Sequence, residues 1–166
     1  MRLCWFVGKR WFRSTLPVTA VALAVAFGSS TPASTQSLTP LYHWAYPGNG
    51  DQFYTTSSSS PGSGWNYIEV TGYVYTSQVD GTVPLYQFST AGDHFYSLSS
   101  STPPGYNYEG PCCYVFSSQI VGTVPLFRYF SCCGGVAVSH YYTTTQGGPG
   151  YPWTIYEGVE GYVSAP

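Results

Sequence analysis

Charge is what this sequence has least of: Asp, Glu, Lys and Arg make up only 7% of it. Of the 5 Lys and Arg residues, four (Arg2, Lys9, Arg10 and Arg13) stand at the N-terminus, and Arg128 is the only one after them. Nucleic acid needs clustered cations against its phosphates, so it is excluded as a partner. Anionic lipid is excluded on the same ground. Intrinsic disorder is excluded by the aromatic content of 19%, because disordered chains are rich in charge and poor in rings. After residue 38 no stretch carries the apolar period of about 3.6 residues that marks an amphipathic helix. The chain also has no Asn-x-Ser/Thr sequon.

The apolar run from Leu16 to Phe27 is too short to span a bilayer, but it follows Lys9, Arg10 and Arg13 and precedes Gly28-Ser29-Ser30 and Thr31-Pro32-Ala33. A basic stretch, a short apolar stretch and small residues describe a secretory signal peptide. Residues 1–33 are therefore expected to be removed by cleavage near 30–33, leaving a secreted, extracellular chain with a short tail at 34–39. That product carries one Arg against seven acids, a formal charge of −6, and is not expected to associate with membrane. It keeps an even set of cysteines, Cys112, Cys113, Cys132 and Cys133. In a secreted protein this predicts two disulfides. Adjacent cysteines rarely bridge each other, so cross-links between the two doublets are expected. Each closes a loop of about 20 residues and stabilises by roughly 3 kcal/mol in the chain-entropy model.

What is abundant is tyrosine, 17 residues, and it falls into a repeat. Thr82-Val83-Pro84-Leu85-Tyr86 returns as Thr123-Val124-Pro125-Leu126-Phe127, with a shorter copy at Thr39-Pro40-Leu41-Tyr42. Asp51-Gln52-Phe53-Tyr54-Thr55 returns as Asp93-His94-Phe95-Tyr96-Ser97 and Ser139-His140-Tyr141-Tyr142-Thr143. Gly72-Tyr73-Val74 returns as Gly161-Tyr162-Val163, and Glu109-Gly110 as Glu157-Gly158. The spacing is 44 residues from Pro40 to Pro84 and 41 from Pro84 to Pro125. Three tandem units follow, 40–83, 84–124 and 125–166. Each reads as four short strands separated by Gly/Pro breakers. Three such units predict an all-β, pseudo-threefold closed fold of the β-trefoil type, with a small three-bladed propeller or β-prism as the alternative.

Strand alternation sorts the side chains. In the first strand of each unit the rings Tyr42/Trp44, Tyr86/Phe88 and Phe127/Tyr129 share a face, which is expected to be the core face. In the second strand Gln52, His94 and His140 lie beside Tyr54, Tyr96 and Tyr142. A ring next to a polar group suits a sugar, whose C–H face covers the ring while its hydroxyls take the polar partner; the same pattern also describes a satisfied buried layer. Trp65, Tyr106 and Trp153 follow Gly/Pro loops and read as ligand platforms or as caps on the barrel end. Glu109 and Glu157 share a column that holds Ile68 in the first unit. Asp51 and Asp93 follow Gly-rich turns, where Asx-turn capping is the ordinary role.

No catalytic constellation is assembled by spacing. Convergence of Asp93 with Glu109 is not implied, no Gly-x-Ser-x-Gly elbow accompanies His94, and His43 is not equivalent to His94 and His140. The expected function is a non-catalytic, carbohydrate-binding or lectin-like module without cofactor or metal, whose partners are glycans or cell-wall polysaccharide. Extracellular structural or protein-interaction domain and secreted glycan hydrolase are the alternatives.

The run Gly-Thr-Val-Pro-Leu-Tyr, Gly-Asp-His-Phe-Tyr, Tyr-x-Tyr-Glu-Gly resembles a family of secreted tyrosine-rich repeats with the pattern PLYR…DHFYTTS…YxxEGxxGYVY…GTVPLYR. The resemblance covers residues 40–166 and is fullest in the second unit. That family is a domain of unknown function often joined to extracellular hydrolases, so it implies a binding or cell-surface role. Three departures stand out: Gln52 in place of His, Ser139 in place of Asp, and Cys112-Cys113 in place of a small pair.

Overall fold

A computed structural model describes residues 36–131 and 138–166. The expected signal peptide, Cys132 and Cys133 lie outside the described residues, and Cys112 and Cys113 are free thiols. The described residues form antiparallel β-strands and no helix. The strands are β1 (Thr39–Tyr46), β2 (Asp51–Thr55), β3 (Asn66–Val74), β4 (Thr82–Ser89), β5 (His94–Ser97), β6 (Asn107–Phe116), β7 (Thr123–Ser131), β8 (Ser139–Thr143) and β9 (Ile155–Ser164).

The ladder pattern recurs from unit to unit. The first strand is central and pairs with the second on one side and the third on the other. Trp44 lies between Phe53 and Tyr67, Phe88 between Phe95 and Tyr108, and Tyr129 between Tyr141 and Tyr156. Each unit therefore has three strands rather than the expected four. The fourth strand was expected to come from a break after Glu-Gly, with Gly-Tyr-Val as a strand of its own. Instead the long third strand runs through both, and two register shifts against the first strand take up the slack, as at Leu41/Tyr42 and His43/Trp44.

The sheet path runs β2-β1-β3-β9-β6-β4-β5, with β7 and β8 branching from β9. It is open, so the β-trefoil closure expected from the repeat is not seen. The units meet instead through the ends of their third strands, at Tyr73↔Ser164, Phe116↔Tyr162 and Tyr75↔Tyr114. This approach needs small residues. A Cβ on Gly72 would stand 2.6 Å from the Val163 side chain and 3.1 Å from the Ser164 carbonyl oxygen.

The core takes matching residues from all three units: Leu41, Leu85 and Leu126; Val74, Val115 and Val163; Tyr54, Tyr96 and Tyr142. The leucine face of the first strand is thus the interior one. The aromatic face, expected inside, is buried as well at Trp44, Phe88 and Tyr129, which pack on the second and third strands of their own unit, while Tyr42, Tyr86 and Phe127 are half-buried. A position shared by three converging strands has room for Leu, whereas a ring fits over a broad sheet face.

The three core tyrosines form a closed ring of six hydrogen bonds. The Tyr54 hydroxyl donates to the Tyr142 carbonyl (2.8 Å) and accepts from its N–H (2.9 Å). Tyr96 makes the same pair of contacts with Tyr54, at 2.9 and 2.8 Å, and Tyr142 with Tyr96, both at 2.7 Å. The rings meet edge to face with centroids 5.3–5.6 Å apart. Burial raises all three phenol pKa values well above the ordinary one.

Candidate functional site

The tyrosine ring settles where the second-strand column points. Tyr54, Tyr96 and Tyr142 are buried, and each hydroxyl both donates to and accepts from backbone. None offers a ring face to a ligand. The alternation that puts them inside takes Gln52, His94 and His140 to the seams between units.

Two of these seams use an Asp–His pair. Asp51 accepts from the His94 N–H (2.9 Å) through one oxygen and from the His94 Nδ1 (2.8 Å) through the other. Asp93 holds His140 in the same way, at 2.8 and 2.6 Å. The aspartates therefore reach into the next unit, while the expected Asx contact is made by Asn49, whose Oδ1 accepts from the Asp51 N–H at 3.0 Å. The third seam has Ser139 and Gln52 at the positions equivalent to the aspartate and the histidine. Ser139 Oγ and Gln52 Nε2 both donate to the Gly50 carbonyl, at 2.9 and 2.8 Å. Gln52 Oε1 takes His43 Nε2 at 2.7 Å. Burial pushes the His43 imidazole down from 6.5 to about 4, against the opposing effect of the Gln52 hydrogen bond. Its ring is therefore neutral at pH 7, stacked 4.4 Å from Tyr54.

The loop rings cap these seams. The Tyr106 hydroxyl donates to Asp93 Oδ2 at 2.5 Å, and Trp153 Nε1 donates to Ser139 Oγ at 2.9 Å. Trp65 packs on Phe53 and His94. Burial first, and the Asp93 hydrogen bond second, raise the Tyr106 phenol pKa. Trp153 also lines a groove of about 290 Å³ with Pro47, Gly48, Asn49, Gly50, Ser131 and Pro152.

Glu109 and Glu157 take side-chain partners within their own unit. Glu109 accepts from Gln87 Nε2 and from Ser89 Oγ. Glu157 accepts from Arg128 Nε at 2.8 Å and lies 3.5 Å from His140 Nε2. Arg128 also donates to Glu160 at 2.6 Å, and its guanidinium sits 4.8 Å over the Phe95 ring. Asp93, Tyr106, His140 and Glu157 therefore gather at one seam, together with Arg128 and Phe95. Both His140 nitrogens face carboxylates, which makes this a satisfied polar cluster.

The open rings lie elsewhere. Tyr67, Tyr108 and Tyr156 hold equivalent places in the third strands and are 52%, 51% and 54% exposed. Each meets two rings of the neighbouring first strand: Tyr42 and Trp44, Tyr86 and Phe88, Phe127 and Tyr129. In the third unit this platform borders a groove of about 280 Å³ lined by Phe127, Tyr129, Gln146, Gly147 and Tyr156. The loop is shaped to the ring beside it. Gly147 N–H donates to the Tyr129 hydroxyl (3.1 Å), and a Cβ on Gly148, which has φ +71, would stand 2.8 Å from that ring. Sequence reasoning placed Trp44, Phe88 and Tyr129 in the core, where they are, but did not single out the exposed tyrosines that rest on them. The signal available was the Tyr67/Tyr108/Tyr156 column, one residue before the Ile68/Glu109/Glu157 column.

No curated protein and no solved structure matches this chain. The family model described as a domain of unknown function (DUF5648) matches it twice, over residues 24–103 and 99–164. The chain accordingly belongs to the DUF5648 family of domains of unknown function.

Proposed function

We propose that this protein is a secreted, non-catalytic, glycan-binding module whose contact sites are the outward three-ring platforms rather than the His/Tyr columns. In this reading the three units stand around the core tyrosine ring as the faces of a small prism, each presenting one platform outward. The observation that carries the proposal is the recurrence of one exposed tyrosine on two supporting rings at equivalent places in all three units. In each unit the third-strand tyrosine is exposed, one supporting ring is half-buried and the other is buried, so the platform is a tyrosine held in place from beneath. Rings with a polar neighbour suit the C–H face of a sugar. The third-unit groove supplies the polar neighbour in the Gln146 amide, and its volume falls near the lower end of the roughly 300–1,000 Å³ of ordinary ligand pockets.

The test is retention of the full chain on a panel of immobilised polysaccharides. Replacing Tyr67, Tyr108 and Tyr156 together by Ala is expected to weaken retention by about tenfold or more, on the scale of one lost stacking contact per site. The melting temperature should change little, since the three side chains are half exposed. Undiminished retention by the triple variant would remove the platforms from the account.

A further inference from the structure

We infer that the glycans recognised by these platforms are uncharged, and that anionic polysaccharides are rejected. The inference rests on the glycan-binding reading and adds the chemical class. Carboxylate- and sulfate-bearing sugars are held by Arg or Lys, through charge-assisted and often bidentate hydrogen bonds. Beyond residue 13 the chain has one such residue, Arg128.

Arg128 is already committed. Its Nε goes to Glu157 and its NH1 to Glu160, and the plane of the group covers Phe95. Its side chain is only 17% exposed. Releasing it to a ligand would leave two partly buried carboxylates without their cation.

The acids add no cation to the platforms. Glu109 follows Tyr108 and Glu157 follows Tyr156 directly in the strand. These two glutamates lie on the opposite strand face from the rings, and the repulsion of an anionic polymer is that of the whole chain beyond residue 13, where seven acids stand against one Arg. In the third-unit groove the side chains present rings and an amide, which serve hydroxyls and C–H faces without a charge. A neutral polysaccharide needs nothing else.

The experiment uses the full chain on neutral polymers (cellulose, β-1,3-glucan, mannan, chitin) and on anionic ones (polygalacturonate and a sulfated galactan), each at low and high salt. At least one neutral polymer is expected to retain the protein, with less than about twofold change on adding salt, and the anionic ones to pass it through. Gln146→Lys, which places a cation beside the Tyr156 platform, should gain salt-sensitive retention on the anionic polymers while Tyr156→Ala loses the neutral one. Retention of the native protein on an anionic polymer as strong as on the neutral ones, or a neutral interaction that salt abolishes, would overturn the inference and leave glycan binding standing. Retention on no polymer of either class would remove the glycan-binding reading and the inference together.

Discussion

The seam between the second and third units and the seam between the third and first are built from equivalent positions with different chemistry. At the first, Asp93 is buried and takes three donors: the His140 N–H, the His140 ring and the Tyr106 hydroxyl. At the second, Ser139 stands where the aspartate would be and Gln52 where the histidine would be, and both turn to the Gly50 carbonyl. Along the chain, Gln52 and Ser139 are two unrelated departures from the repeat, 87 residues apart. In space they meet at one seam, both donating to the same carbonyl. A buried aspartate without its histidine, or the reverse, would leave an unpaired polar group, and having neither avoids that cost.

Several outcomes break or sharpen this comparison. The largest effect belongs to Asp93→Ala, which strands His140 and Tyr106 together. It should destabilise the protein by about 3–5 kcal/mol in denaturant unfolding, whereas Ser139→Ala should cost about 1 kcal/mol. Equal losses at the two seams would contradict the difference drawn between them.

Next comes the pH response of the third seam. His43 is held neutral in the folded state with its pKa near 4, below the ordinary 6.5. Between pH 6.5 and 4 the unfolded chain therefore binds a proton that the folded one refuses, and stability falls as the pH drops through that window. The total is on the order of 3 kcal/mol. The difference in unfolding free energy between wild type and His43→Gln should carry this slope and flatten above pH 6.5. A difference independent of pH would show that His43 is not so held.

A smaller effect is expected from rebuilding the seam. Gln52→His and Ser139→Asp should each destabilise alone and compensate when combined, with a coupling of about 1–2 kcal/mol in a double-mutant cycle. Strict additivity would mean that the two positions do not face each other.

Much of this architecture was legible in the chain, and the illegible part has a physical cause. Pro-Leu-Tyr, Phe-Tyr and Gly-Tyr-Val runs marked where strands lie, because strand residues and Gly/Pro breakers are local signals. The count of strands per unit was not legible. A Glu-Gly pair reads as a break, but Gly110 and Gly158 adopt positive φ inside continuous strands beside register shifts. Alternation separated the leucine face from the aromatic face without saying which one meets the other units, and both carry buried side chains. That depends on how closely three units approach, a property of no single strand. The Asp–His seams were invisible for the same reason: Asp51 and His94 are 43 residues apart, and each looked locally employed, one in a turn and one beside a tyrosine.

The division of the tyrosines into a buried hydrogen-bonded ring and an outward set of ligand platforms is the claim on which fold and function both stand. Mild chemical modification of tyrosine, read residue by residue by mass spectrometry with and without a saturating neutral polysaccharide, tests it directly. Tyr67, Tyr108 and Tyr156 should react in the free protein and be protected by the polysaccharide, while Tyr54, Tyr96 and Tyr142 stay unmodified in both. Modification of the second set in the native protein, or a first set whose reactivity the bound polymer leaves unchanged, would contradict the account.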